Sequence, residues 1–364
     1  MNNLIIDQFH KLIEQIKAEY LRAQIENDIK EIEMHSYRLK HMKRVLNIIL
    51  SLDFEIKNEN DLIGIPGIGK GTLKRIKEIL ETGSISGLNP KYYNPAMMAK
   101  INSLREILAV IGVGDRLARK LVLEEGITNV DEFKKAVANK KIRVSRQVLL
   151  GLKYYDILKR NIPRTEMKQI EKYLKKKAKE IDSKLDILIC GSYRRGRAVS
   201  GDIDVMLYHP DVKFVRQIYK LEDLGIKSYL DLFVDLLNKK EFLLDYLSWD
   251  KMKYMGFSRA WDNFINPNLA LVVRRIDILW MPYNSLPAAM LYFTGPQQLN
   301  EEMRLRAKKR NMTLNENGLF IIDSKQNRFA IPIQSEEDIF EELDMKYLTP
   351  AEREIYTTTT IKKI

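Results

Sequence analysis

The chain has 364 residues, 45% of them hydrophobic, enough for a sizeable core and for roughly two to four small domains. Lys and Arg outnumber Asp and Glu by 61 to 49, a formal charge of +12 that suits a polyanion such as nucleic acid, or equally a solvated lysine-rich surface. A single cysteine excludes an internal disulfide and points to a reducing, intracellular compartment; four scattered histidines make no zinc pattern. The charged, amphipathic N-terminus is neither a signal peptide nor a membrane span, so no membrane partner is expected.

From Asn3 to about Leu52 apolar residues recur every three or four positions ("FHKLIEQI", "YRLKHMKRVLNIIL"), predicting helices of a small bundle. Two similar segments follow, "LIGIPGIGKGTLKRIKEILETG" at 62–83 and "ILAVIGVGDRLARKLVLEEGI" at 107–127, separated by the linker-like "ISGLNPKYYNP". Each sets an apolar residue, a Gly-apolar-Gly turn and a basic helix in the same order. In such a helix–hairpin–helix the glycines (Gly67 and Gly69, then Gly112 and Gly114) let backbone amides at a helix N-terminus approach a phosphate. One such turn carries little information. Two, each ahead of a basic helix, predict DNA contact without base reading.

Beyond "GLKYYDILKRNIPRTEM" the pattern changes. A lysine-rich helix, "MKQIEKYLKKKAKEI", precedes the strand-like runs "LDILIC", "DIDVMLYH" and "RRIDILWM". "FVRQIYKLEDLG" and "EFLLDYL" read as helical and "LALVV" as another strand, while from Pro287 a helix through "QQLNEEMRLRAKKR" mixes with short strands. The front is therefore all-α and the back α+β. Cys190, closing "LDILIC", reads as a buried structural thiol.

The chemistry concentrates in "GSYRRGRAVSGDIDVML". On a strand, residues two apart share a face, so Asp202 and Asp204 project together. Carboxylates that close repel unless cations neutralise them, and hard oxygen ligands suit Mg²⁺. The preceding turn offers a triphosphate its glycines, the Ser192 hydroxyl and the charge of Arg195. A third acid, Asp277 in "RRIDILW", would complete a site for two metals that activate a hydroxyl and stabilise leaving pyrophosphate. An isolated Asp-x-Asp is usually a solvated turn; the full motif is far more specific.

These motifs, with "KYMG", "LYFTG" and "SEEDIFEELDMKY" in the same order, resemble the family X DNA polymerases of the short DNA polymerase beta type, cellular or viral, over most of the chain. The first fifty or so residues match weakly, and no BRCT-like segment precedes them. The resemblance implies a multidomain α and α+β fold. It consists of a helical lyase-like domain with the first hairpin (1–91), a helical subdomain with the second (92–163), a catalytic palm with a mixed β-sheet of nucleotidyltransferase type (164–281) and a small α+β nucleotide-selection subdomain (282–364).

It further implies that Asp202, Asp204 and Asp277 bind two Mg²⁺ ions, for which Mn²⁺ can substitute, with Asp277 as proton acceptor from the primer 3′ hydroxyl. Ser192, Arg195 and Gly201 would hold the triphosphate, and Tyr292, Phe293 and Gly295 the sugar and base; without the resemblance, the aromatic pair reads as core packing. Asn300 and Arg304, at i and i+4 on one helix face, fall to the minor-groove side of the nascent pair. Lys253 and Arg275 would meet primer-side phosphates, and a monovalent cation would sit at each hairpin.

The implied partners are gapped or nicked double-stranded DNA and deoxynucleoside triphosphates, the implied state a monomer, and the implied location the nucleus for a cellular protein or the cytoplasm or virion for a viral one. "KYLKKKAKE" serves equally as a nuclear signal or a solvated helix.

The departures matter. Pro296-Gln297 follows "FTG" where relatives carry charge, and the arginine expected near "KRNIPR" is Arg160 or is replaced by Asn161. The connection from "KYMG" to "RRID" lacks the insertion of template-independent members, favouring templated synthesis. Arg75 stands where short relatives place the lysine of 5′-deoxyribose-phosphate lyase chemistry, and Gly71 and Gly87 replace phosphate-binding lysines. A guanidinium cannot form a Schiff base, which leaves that activity in doubt unless Lys70, Lys74 or Lys77 serves instead. Two rival readings stand beside polymerisation. A tailing nucleotidyltransferase would not need the hairpins or "YFTG", and a non-catalytic scaffold on gapped DNA would not need all three carboxylates.

Overall fold

The computed structural model describes residues 2–26, 28–50, 52, 54–65, 67–88, 95–159, 161–223, 225–323 and 325–354. They form two compact units, one within Met1–Leu152 and the other within Lys153–Tyr356. Among the described residues no helix is long and apolar enough to cross a membrane.

In the first unit α1 (Asn3–Ile25) and α2 (Ile29–Leu50) pair along their apolar stripes. Phe9, Ile13, Ile16, Val45 and Ile49 interdigitate there with Ile76 and Ile79 of α3 (Lys70–Thr82), as the three-to-four-residue spacing requires. Helices α4 (Pro95–Leu108), α5 (Asp115–Arg119), α6 (Val130–Ala138) and α7 (Arg146–Tyr154) follow, and a wide turn of π-helix, Lys120–Glu124, extends α5. Of the linker-like stretch before α4, residues 89–94 lie outside the described residues.

The second unit opens with β1 (Ile162–Pro163) and α8 (Arg164–Ile181), followed by β2 (Asp186–Ile189), the single turn α9 (Gly191–Arg194), β3 (Val199–Ser200) and β4 (Ile203–His209). Next come α10 (Val215–Asp223), α11 (Tyr229–Lys239), β5 (Leu243–Trp249), β6 (Lys253–Arg259), α12 (Trp261–Ile265) and β7 (Val273–Pro282). The main sheet runs β2-β4-β7-β6-β5, mixed because only β4 and β7 are parallel.

Period-two alternation assigns its faces. Ile203, Val205, Leu207, Ile276, Ile278 and Trp280 join the core that also holds Leu174 of α8 and Phe233 of α11. Met206, Leu279 and Met281 instead pack with Ala289 and Phe293 of α13 (Leu286–Thr294). Beyond it lie α14 (Gln297–Lys309), the hairpin β8 (Met312–Asn315) and β9 (Gly318–Ile322), β10 (Arg328–Ala330), α15 (Glu336–Glu342) and α16 (Pro350–Glu354), around a core of Leu299, Met303, Leu319 and Phe340.

Two expectations from sequence fail. "EFLLDYL" is not helical: Glu241 has φ +56°, and the chain then enters β5. A short apolar run is ambiguous by itself, and the free edge of β6 decides it by pairing with β5. "LALVV" joins the sheet only at Val273. The Asn263 amide hydrogen-bonds the carbonyls of Leu269 and Ala270, and its oxygen accepts the Val272 N–H, so a side chain rather than a neighbouring strand satisfies this backbone.

Candidate active site

Asp204 and Asp277 are directly opposed residues on the parallel strands β4 and β7. Both belong to the face carrying Met206 and Leu279, the face on which α13 packs. Asp202 lies immediately before β4 rather than within it, yet its charge acts on both other carboxylates. Burial, then the charges of Asp202 and Asp277, push Asp204 up to about 8, with Arg195 and Arg275 partly offsetting them. Asp277 is likewise raised by burial, against the opposing charges of Arg275 and Lys253.

The turn before β4 is shaped around this cluster. Cys190 N donates to the carbonyl of Asp204 at 2.8 Å, which starts α9 beside the carboxylates. Gly191, at φ +57°, leaves the space taken by Oδ2 of Asp204; a Cβ there would collide with it. Cys190 itself is buried.

The two arginines of the turn diverge in use. Arg194 makes a paired contact with Glu336 (Nη1 to Oε1 2.9 Å, Nη2 to Oε2 2.7 Å) and donates to the Thr294 hydroxyl at 2.7 Å. Glu336 also accepts from Nη1 of the fully buried Arg353 at 2.8 Å. Arg195 donates from Nη1 to the carbonyl of Thr294 at 2.5 Å and from Nε to Glu354 at 2.6 Å.

Thr294 ends the helix that presents Tyr292 and Phe293, whose ring centroids lie 5.8 Å apart. Phe293 packs against the sheet; Tyr292 is exposed, with the Arg304 guanidinium 5.0 Å from its ring centroid. The Asn300 amide donates to the Tyr292 carbonyl at 2.8 Å, and Gly295 follows at φ +66°. Tyr292, Asn300 and Arg304 line one pocket with Leu291 and Asn315. Ser192 lies within α9, and Gly201, before the strand, leaves open space where a Cβ would be.

Lys253 begins β6 close enough to act on Asp277, whereas Nη2 of Arg275 contacts Oδ1 of Asp277 at 2.6 Å. Arg160 lies outside the described residues; Asn161 gives its carbonyl to Nη1 of Arg274 at 3.3 Å. Sequence reasoning missed Thr294, Glu336 and Glu354. Their role comes from long-range pairing with the arginines, which no local pattern announces.

The donor set fits hard divalent cations. Oδ1 of Asp277 is buried without a well-aligned hydrogen bond, and the recessed carboxylates repel one another. Among the described residues no three His, Cys, Asp or Glu side chains make an all-protein metal cage. Mg²⁺ does not ask for one, since it binds through one or two carboxylates together with substrate phosphates.

The two hairpins repeat each other closely. Gly69 and Gly114 cap their helices at φ −99° with ψ 172° and 171°, and Gly67 and Gly112 take φ +96° and +88°. A Cβ on Gly67 would meet Ile48 at 2.7 Å, and one on Gly112 would meet the backbone of Val148 at 2.9 Å, so both turns require glycine. On α3, Arg75 donates to the Gly71 carbonyl at 3.1 Å. Burial and the charges of Arg44 and Arg75 hold His41 below the usual imidazole range.

A mixed sheet that opposes two carboxylates, with a third beside them and a glycine–arginine turn alongside, is the palm of a nucleotidyltransferase. The family model of the DNA polymerase beta palm matches residues 161–283, that of the DNA polymerase beta thumb 289–354, and a helix-hairpin-helix domain 2–85. The matched palm and thumb are domains of the DNA polymerase beta type, which family X DNA polymerases, metal-dependent nucleotidyltransferases, carry. The chain is similar to DNA polymerase lambda of Rattus norvegicus, 26% identical over 332 residues that cover 89% of this chain and 53% of the relative. It is also similar to DNA polymerase lambda of Arabidopsis thaliana, 29% identical over 323 residues, 86% of this chain and 57% of the relative. The chain thus spans a little over half the length of these relatives.

Proposed function

We propose that the chain is a template-directed DNA polymerase that adds deoxynucleotides to a primer 3′ hydroxyl and fills short gaps in base excision or related DNA repair. The observation that carries this reading is the opposition of Asp204 and Asp277 on the sheet face that also seats the Tyr292–Phe293 helix, with Arg195 alongside. Asp202, Asp204 and Asp277 would hold two Mg²⁺ ions, or Mn²⁺ in their place, which when bound supply charge neutralisation at the reacting phosphate.

Asp277, its affinity for a proton raised by burial, accepts the proton of the 3′ hydroxyl. That oxygen then bonds to the α-phosphorus as the bond to pyrophosphate breaks. Ser192, Arg195 and Gly201 hold the triphosphate; Tyr292, Phe293 and Gly295 line the sugar, where a 2′ hydroxyl would be crowded. Asn300 and Arg304 serve the nascent pair, and Lys253 and Arg275 the primer side. Arg275 would then exchange its contact with Asp277 for phosphate.

Gly67, Gly69, Gly112 and Gly114 present backbone amides, each hairpin with a monovalent cation, to the phosphates of gapped or nicked DNA. The polypeptide acts as a monomer, with functional segments 1–91, 92–163, 164–281 and 282–364, in the nucleus of a cell or in the cytoplasm or virion of a virus. Efficient lyase chemistry is not expected, because Arg75 stands where the Schiff-base lysine would be and its guanidinium stays protonated.

The test is single-nucleotide insertion on 5′-phosphorylated, single-gap DNA with Mg²⁺. One template-matched deoxynucleotide should be added, with ribonucleotides disfavoured. Untemplated tailing, equal use of both sugars, or retention of gapped DNA without insertion would overturn the reading.

A further inference from the structure

We propose that Glu354 is a positioning residue that fixes Arg195 for the incoming triphosphate, an inference that rests on the polymerase reading above. Glu354 is the last residue of α16, far in sequence from the glycine turn. Its carboxylate bridges two arginines of that turn: Oε2 accepts from Nε of Arg195 at 2.6 Å, and Oε1 lies 3.2 Å from Nε of Arg197. The Thr294 carbonyl takes an N–H of Nη1 from the same Arg195 guanidinium at 2.5 Å. Held at Nε and at Nη1, the planar group has its orientation fixed.

The remaining donors decide what this arrangement is for. A guanidinium carries a fork of N–H groups. Arg194 spends its fork on Glu336 and Thr294 and is a structural brace. Arg195 keeps its Nη2 pair clear of both anchors, so Glu354 does not consume the surface that an anion would use.

Glu354 also opposes a competing pull. The charge of Arg195 acts on Asp204, and an unanchored arginine would be drawn toward the carboxylate cluster, neutralising the acids that should receive cations. Fixing a long side chain in advance also removes the ordering cost that nucleotide binding would otherwise bear.

An alternative role for the same contact has the opposite sign. If Glu354 were a plug occupying the triphosphate's place, removing it would tighten nucleotide binding. Steady-state insertion by the full chain on single-gap DNA, with Glu354→Ala and Glu354→Gln, separates the two. Loss of one charge-assisted anchor should raise KM for the deoxynucleotide about tenfold in Glu354→Ala while kcat stays within about twofold. Glu354→Gln keeps an acceptor for Nε but not the charge, and should fall between the wild type and Glu354→Ala.

A KM that is unchanged or lower in both variants, or a fall in kcat at constant KM, overturns the proposal. Calorimetric titration of a deoxynucleoside triphosphate into the enzyme on dideoxy-terminated gapped DNA keeps this separate from the polymerase reading. If the wild type fails to insert nucleotides, that reading falls. Weaker triphosphate binding by Glu354→Ala would still uphold the anchoring role, and equal or tighter binding would refute it.

Discussion

Replacing Gly191 by alanine should disable the enzyme while leaving most of the fold in place. Two costs act together. At φ +57° an L-residue carries a left-handed penalty of about 1–2 kcal/mol. The added methyl would also collide with Oδ2 of Asp204, with Cγ only 3.1 Å and Cβ 3.5 Å away, so rotating the carboxylate does not clear it. Overpacking of this kind adds about 1–3 kcal/mol, giving about 2–5 kcal/mol in all.

Because the group displaced is a metal-binding carboxylate in the proposed chemistry, insertion should fall about a hundredfold, the scale expected for a misplacement of about an ångström. Two neighbouring glycines serve as controls. Gly196, at φ +89° with open space for a Cβ, should show only the backbone penalty when replaced by alanine; Gly201, with open space and no left-handed φ, should show no stability loss. Thermal unfolding midpoints and single-turnover gap filling of the three alanine variants are the assay. A Gly191→Ala enzyme with wild-type insertion and midpoint, or Gly201→Ala destabilised as much as Gly191→Ala, would refute the reasoning.

Asp277→Asn should abolish nucleotide addition but leave gapped-DNA affinity nearly intact, since that affinity comes from phosphate contacts; extension near the wild-type rate would sink the assignment. Glu336→Gln should cost about 3–5 kcal/mol, because it leaves the fully buried Arg353 without its counter-charge, and a denaturation midpoint reads the loss. Burial raises the Glu336 carboxyl, but hydrogen bonds from Arg194 and Arg353 and their charges outweigh it, so the folded-state value lies below 4.5. Its stabilisation is therefore complete above the unfolded value and lost as pH falls through the folded one, and Glu336→Gln should flatten that acid limb. Borohydride treatment with an incised abasic substrate should trap no efficient adduct; an adduct lost on replacing Lys70, Lys74 or Lys77 would contradict the expected lack of efficient lyase chemistry.

Much of the site was legible in the sequence because its parts are local. The glycine turn, Asp202, Asp204 and Ser192 sit within a dozen or so residues, and the two hairpins repeat one motif whose glycines meet the same steric demand, with nearly identical backbone angles at Gly69 and Gly114. Period-two alternation in "DIDVML" already put Asp202 and Asp204 on one side and Ile203 and Val205 on the other.

Tertiary structure decided what depends on distant partners. It made "EFLLDYL" a strand because an unpaired strand edge lay beside it, and kept "LALVV" in a loop because Asn263 had already satisfied that backbone. It also distinguished the roles of two adjacent arginines. Arg194 and Arg195 look alike in sequence, yet Glu336 occupies one fork while Glu354 and Thr294 only anchor the other, through ion pairs that span well over a hundred residues of chain. Local sequence fixes what a residue can donate or accept; only the folded chain determines which partner arrives.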